Sequence, residues 1–208
     1  MYIPDAFAET RPEVLHELIR QFSFATLVSA DADGIVATHL PLLLDESRGP
    51  QGALLGHVAR ANPHRQRLSP DQDVLAIFQG PHAYVSPSWY TTAPAVPTWN
   101  YAAVHCYGRP RIIDDANEVR DVLARTVAVY ERDMTRPWQL DQQPPLYVEK
   151  MSAAVVAFEV PITRLEGKWK LNQNRPRADR ESVAAALSAQ DDPMARQIAE
   201  LMRRRVDE

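Results

Sequence analysis

The sequence predicts a mainly β fold with helices: an α+β β-barrel decorated by helices and ending in a C-terminal helical tail. Three observations carry that prediction. Six or more strand-like runs follow one another at close spacing. Helical patterns lie before, between and after them. Seventeen prolines stand against seven glycines in 208 residues, which points to irregular connections and away from a doubly wound α/β domain with glycine-rich turns. The length suits one well-buried core, and the organisation reads as a domain over 1–178 with a helical extension over 179–208 packed on it.

The first helix begins at Thr10, whose spacing to Glu13 is that of a capping box, with Pro12 in the first turn. Val14, Leu15, Leu18, Ile19 and Phe22 form its apolar face. Two strands follow, "FATLVSA" and "GIVATHLPLLL", joined by "DADG", whose Asp-Gly ending suits a hairpin. "ALLGHVA" is a third strand, and "RANPHRQRL" a short helical or irregular connector. Strands four and five, "VLAIFQG" and "HAYVSP", flank a turn-like Gly80-Pro81. "PTWNYAAVHCYGRP" alternates with period two. Trp99, Tyr101, His105 and Tyr107 share one face, while Asn100, Ala102, Val104, Cys106 and Gly108 share the other. The aromatic face needs a cover: the protein's own helix, a partner subunit or a flat ligand. "ANEVRDVLARTVAVYERDM" is an amphipathic helix, "AAVVAFEVPIT" a buried strand, and "DRESVAAALSAQ" and "DPMARQIAELMRRRV" two closing helices, the second capped by Asp192 with Pro193 in its first position.

Several function classes are excluded. GxGxxG, P-loop and G-x-S-x-G patterns are absent. The six histidines never form a helical i, i+4 pair, so no metal site is expected. The single cysteine, Cys106, rules out an internal disulfide and suggests a reducing compartment. Adjacent strand residues point to opposite faces, so His105 and Cys106 form no catalytic dyad. Neither a signal-peptide pattern nor an apolar run long enough to span a bilayer is visible, so the expectation is a soluble cytoplasmic protein with no membrane partner. A net charge of −4 weighs against broad nucleic-acid binding.

Three patches carry chemistry. In "ATHLP", Thr38 and His39 interrupt an apolar strand, which requires polar partners, a bulge or an exposed edge. In "GHVARANPHRQR", Arg60, Asn62, His64 and Arg65 sit just past a strand end, where cations and backbone N–H groups favour a phosphate. From Arg164 to Arg180, six Lys/Arg stand against two acids around Trp169 and the amides Asn172, Gln173 and Asn174. That run suits a phosphate, a nucleic-acid strand, an acidic partner or a solvated charged loop. The terminal Arg203 to Arg205 end a helix, where cations offset the dipole.

The blocks "MYIPDAF", "ATHLPLLL", "GHVARANPH", "FQGPHAYVSPSWY", "VPTWNYAAVHCYG" and "LEGKWKLNQNR" resemble, in order and over nearly the whole chain, those of PaiB-type proteins, described as FMN-binding negative transcriptional regulators. The resemblance implies a split β-barrel of the FMN-binding type, similar to pyridoxamine 5′-phosphate oxidase and the flavin reductases. It further implies a homodimer with FMN in two equivalent clefts at the subunit interface. Carried over by block, Thr38, His39 and Leu40 lie along the isoalloxazine, and His57, Val58 and Ala59 near the ring or ribityl chain. Arg60, Asn62 and His64 then mark the phosphate end. Related split barrels often place a lysine there; "HVARANPHRQR" has none, which leaves the phosphate cation open. Trp99, Asn100 and Tyr101 are expected to face the cleft from the partner subunit, with Lys170, Gln173 and Asn174 closing it. The pleat separates Asn100 from its two neighbours unless the strand bends or begins there.

Two functions follow from the resemblance. One is negative transcriptional regulation, through DNA or a regulatory partner. The other is a flavin-dependent oxidoreductase of unassigned substrate with no direct DNA binding. A haem or a deazaflavin remains a third option for the cleft.

Overall fold

The computed structural model describes residues 1–205. It contains five α-helices, α1 (Pro12–Gln21), α2 (Ala116–Glu131), α3 (Pro145–Ala153), α4 (Arg177–Ser188) and α5 (Pro193–Arg204). Its nine strands are β1 (Ala8–Glu9), β2 (Phe24–Asp31), β3 (Gly34–Pro41), β4 (Leu43–Asp45), β5 (Ala53–Ala59), β6 (Val74–Val85), β7 (Thr98–Gly108), β8 (Arg111–Ile113) and β9 (Val155–Lys170). They form one sheet in the order β3-β2-β6-β7-β9-β5-β4, with β1 and β8 also pairing β9. This is the α+β split-barrel architecture. β3 and β4 stand at opposite ends of that order, yet one residue, Leu42, separates them in the chain, so the sheet returns on itself.

Local sequence explains most boundaries. β2 and β3 pair without a slip from Phe24↔Pro41 to Asp31↔Gly34, closed by the two-residue turn Ala32-Asp33, after which Gly34 opens β3 with φ +110°. The sequence reading ran 34–44 as one strand; Pro41 lacks the amide needed to continue the ladder, and β4 pairs instead with β5. The sequence reading also placed a turn at Gly80-Pro81, where the structure has one twelve-residue strand, β6. Gly80 is required there by close packing: a Cβ would meet Leu18 Cδ1 at 2.9 Å and Ala102 O at 3.0 Å. α3, a helix the sequence reading did not identify, follows Pro144 and opens on Pro145 with weak amphipathicity, and α2 ends at Glu131 rather than Met134. β9 runs on to Lys170, so the basic run begins in a strand rather than a loop. Val206, assigned to the last helix by sequence, lies outside the described residues.

Two compact units emerge. One holds Met1–Leu18, Phe78–His105 and the described residues from Glu166 onward. Its N-terminal β1 pairs with β9 at Ala8↔Lys168 and Glu9↔Gly167. Buried Glu9 is held by Arg11 at 2.8 Å and by Arg205 just beyond α5. Ile198, Ala199 and Met202 bury the inner face of α5, and Asp192 accepts the Met194 N–H as its cap. Here too the Asp179 carboxylate of α4 accepts four hydrogen bonds, from the amides and hydroxyls of Thr91 and Thr92, at 2.6–3.1 Å. Those bonds, the Thr91 hydroxyl first, hold its pKa at about 2.

The other unit holds Ile19–Ile77 and Cys106–Leu165. α2 packs over a core of Leu43, Leu55, Ile113, Val122 and Ala157. Arg125 of α2 meets Asp45 of β4 at 2.8 Å, while Arg48 and Arg111 both engage Glu159 of β9. Cys106 is fully buried, and burial pushes its thiol far above the ordinary range, so it is an inert core residue. No helix among the described residues is long and apolar enough to cross a membrane.

Gly80→Ala is expected to lower the free energy of unfolding by about 1–3 kcal/mol, through overpacking against a backbone carbonyl. Urea denaturation checks this; a neutral result would mean that β6 does not lie as tightly as these distances require.

Candidate functional site

The residues singled out by sequence fall into two sets. Thr38, His39, Leu40, His57, Val58, Ala59, Arg60, Asn62 and His64 belong to the unit of Ile19–Ile77 and Cys106–Leu165. Trp99, Asn100, Tyr101, Lys170, Gln173 and Asn174 belong to the other.

In the first set, strand alternation sorts the side chains. Phe24, Thr26, Val28 and Ala30 of β2 pair with Pro41, His39, Ala37 and Ile35 of β3, which puts all eight on one face. That face is open: Phe24 is 69% and Ile35 77% exposed. His39 is exposed on it, stacked on Phe24 at 6.3 Å, with Nδ1 3.0 Å from the Thr26 hydroxyl. The unbroken register makes His39 an edge residue and rules out a bulge.

Thr38 points the other way and joins a buried network. His64 is fully buried in the 3-10 turn Pro63–Arg67, with Nδ1 2.7 Å from Thr38 Oγ1 and Nε2 2.8 Å from Ser29 Oγ. Burial, aided by the charge of Arg67, pushes its pKa below 6.5 and keeps the ring neutral. A neutral imidazole has one N–H and one bare nitrogen, so one hydroxyl accepts from the ring and the other donates to it. Asn62 caps the same turn by accepting the His64 N–H at 2.9 Å, and its amide approaches Thr38 Oγ1 at 3.4 Å. Leu40 and Val58 have buried side chains, whereas Ala59 is exposed. His57 is half-buried, and burial lowers its pKa.

The cations of the turn have separate duties. Arg60 donates to the carbonyls of Ala153 and Val155 at 2.7 and 2.9 Å, fixing the end of α3. Arg67 donates to Gly34 O and pairs with Asp31. Arg65 is exposed and has no side-chain partner among the described residues. Arg60, Arg65 and Ser152 line a cleft of about 210 Å³ floored by Ile113, Val155 and Ala157, with Asp114 at its side. With Arg60 committed to backbone carbonyls, the Arg65 guanidinium and the Ser152 hydroxyl are the donors this cleft offers to a phosphate monoester.

In the second set, Trp99 is 53% exposed and lies 6.0 Å from Tyr84, edge to face, and 6.2 Å from His82. Tyr101 is half-buried, with the Lys168 ammonium 5.3 Å from its ring centroid. Asn100 is not with them. β7 alternates without a break, and Asn100 is fully buried, donating to Met202 Sδ at 3.4 Å. Lys170 donates to Trp99 O at 2.8 Å and to the Thr98 hydroxyl; burial first, then nearby Lys168, lowers its pKa. Gln173 closes the turn after β9 through Trp169 O and the Leu171 N–H, and Asn174 is exposed.

Sequence reasoning passed over Ser29, Thr26, His82 and Tyr84. Reading 74–85 as one strand would have put His82 and Tyr84 on one face by period two. The partnership of Ser29 with His64 spans 35 residues and leaves no periodic trace.

Comparison with known proteins then adds the following. Residues 1–164 match the family described as "Putative FMN-binding domain". "Protease synthase and sporulation protein PAI 2" of Bacillus subtilis is 36% identical, over 97% of this chain and 96% of its own length. An uncharacterized protein of Emericella nidulans is 30% identical, over 99% and 97%. Among solved structures, the flavocytochrome Anf3 from Azotobacter vinelandii aligns with a TM-score of 0.62 at 15% identity, covering 78% of this chain and 69% of that one. The FAD and heme binding protein from Mycobacterium smegmatis aligns at 0.59 and 16% identity, covering 78% and 73%. At such identities the likeness is one of fold.

The His64 network generates a pH prediction. The folded pKa lies below the unfolded 6.5, so the unfolded chain binds the proton first as pH falls. This contribution to stability is complete above about pH 6.5 and is lost as pH falls below it. Thermal melts are expected to show Tm declining below that pH, with a shallower decline in His64→Gln. An equal decline in that variant would assign the acid sensitivity elsewhere. His64→Ala is expected to cost about 1–3 kcal/mol, because the Ser29 hydroxyl is left buried without a partner.

Proposed function

This chain belongs to the PaiB-type family described as "Putative FMN-binding domain", it is an FMN-binding protein, and from that premise we propose that it works as a cytoplasmic homodimer holding one FMN in each of two equivalent clefts. The observation that carries the reading is the open face of β2 and β3. An edge pair presenting Phe24, Val28, Ile35 and Ala37 to solvent is a surface that a second copy covers.

The donor set fits FMN. Arg65 serves the phosphate, since Arg60 and His64 are engaged within the chain, and Asn62 and the Thr38 hydroxyl offer neutral donors beside it. Thr38, His39 and Leu40, with His57, Val58 and Ala59, line the ring and ribityl chain. Trp99 and Tyr101 approach from the second copy, and Lys170, Gln173 and Asn174 close the cleft, while Asn100 supports it from the core side through Met202. The extension 179–208 acts as a brace on the domain 1–178. When bound, FMN supplies the electron-transfer chemistry. The chain's own part is to orient it and to exclude water from its faces, with the His39 and His57 imidazoles as the groups able to pass a proton.

Direct DNA contact by the basic segments is disfavoured. Lys168 donates to Tyr2 O, Lys170 to Trp99 O, Arg177 pairs with Glu181, Arg204 with Glu200 and Arg205 with Glu9. Arg164 and Arg175 stack on Tyr107 and Tyr90. Any effect on transcription therefore runs through flavin chemistry or a partner protein.

Three measurements test this. FMN added to the purified protein is expected to lose fluorescence at one equivalent per chain, and Arg65→Ala to weaken FMN about tenfold or more while leaving riboflavin affinity unchanged. Equal losses for both ligands would remove Arg65 from the phosphate. Light scattering is expected to give a dimer for the native chain and a monomer with poor FMN retention for Ile35→Glu; a dimeric, fully loaded Ile35→Glu contradicts the interface. No retardation of duplex DNA is expected even at low salt.

A further inference from the structure

Helix α2 and the loop after it line an open cleft of about 430 Å³, within the size range of small-molecule sites and separate from the residues assigned to FMN. Val127 and Ala128 on one stripe of α2 face Trp138 and Leu140 on the returning loop. The loop is held in place: the Trp138 N–H donates to Glu131 Oε2 at 2.8 Å, and the Gln142 side chain donates to Gln139 Oε1 at 2.6 Å. The apolar stretch of these walls is held by those bonds, so an entering ligand has little ordering to offset.

The charges around the cleft select the ligand. Glu131 is engaged by the Trp138 amide, and Arg132 Nε by Asp133 at 3.2 Å. Arg120 and Asp141 also line the cleft, and neither has a side-chain partner among the described residues. An apolar ligand would desolvate both without satisfying either. A simple anion would suit Arg120 but face the Asp141 carboxylate, and a simple cation would meet the reverse.

We propose that this cleft binds a zwitterionic small molecule of the amino-acid class with a large apolar side chain. Its carboxylate pairs with Arg120, its ammonium with Asp141, and its side chain packs between Val127, Trp138 and Leu140. The site is an effector pocket on the α2 side of its unit, and it does not depend on the cofactor reading.

Isothermal titration calorimetry on the full-length protein as purified tests it, with L-phenylalanine, 3-phenylpropionate (no ammonium) and phenethylamine (no carboxylate) as probes. L-Phenylalanine is expected to bind, and each truncated probe to bind about tenfold more weakly. Arg120→Ala should erase the advantage of L-phenylalanine over phenethylamine, and Asp141→Asn its advantage over 3-phenylpropionate. Ala128→Trp, an exposed position, should abolish binding with the FMN titration unchanged. Failure of L-phenylalanine to bind at millimolar concentration, equal affinity for all three probes, or undiminished binding to Ala128→Trp would each overturn the proposal. Loss of FMN binding with L-phenylalanine binding intact would count against the cofactor reading alone.

Discussion

One buried imidazole ties the turn after β5 to the hairpin of β2 and β3. His64 bridges hydroxyls on two neighbouring strands, Ser29 of β2 and Thr38 of β3, while its own amide is capped by Asn62. Three consequences follow from that single ring. The 3-10 turn after β5 is pinned against the hairpin; Thr38 is held with a defined hydroxyl direction; and Arg65, one residue on, is fixed at its base but left with a guanidinium no neighbour occupies. In the neutral ring one nitrogen accepts a hydroxyl proton and the other donates. Burial secures that state.

Around this joint, charge is mostly internal. The chain looks basic between 164 and 180 and at its C-terminal arginines, yet most of those cations are engaged by carbonyls, hydroxyls, aromatic rings and carboxylates. Lys168 lies near the rings of Tyr2 and Tyr101, and Arg205 returns to Glu9, a residue 196 positions earlier. A cluster of like charge in a sequence is therefore not a patch of like charge in space. Arg65 is exposed with no side-chain partner among the described residues, which is why a phosphate reading settles on it.

Much of the fold was legible in the sequence. The period-two alternation of β7, the hairpin of β2 and β3, the limits of β5, and the Asp192 cap of α5 all follow from local rules that tertiary context did not override. The misreadings share a cause. Gly80-Pro81 carries a turn signature, but the glycine is there because Ala102 O approaches too closely for a side chain, a fact that only packing reveals. The break after Pro41 arises because β4 finds β5 at the far end of the sheet order, which no local pattern encodes. In the candidate site, the pleat alone separates Asn100 from Trp99 and Tyr101. Within the blocks carried by resemblance, Arg60 and His64 are engaged by partners in their own chain, which no local pattern announces.

The central claim is that an FMN site is built on the β3 edge and the turn that His64 anchors, and that a second copy completes it. A crystal structure of the protein with FMN tests this most directly. The account predicts the phosphate at Arg65, the ring along Thr38 to Leu40, and a second chain packed on the face of Phe24 and Ile35. Flavin bound away from β3, or a chain that binds it with that face open to solvent, would contradict it.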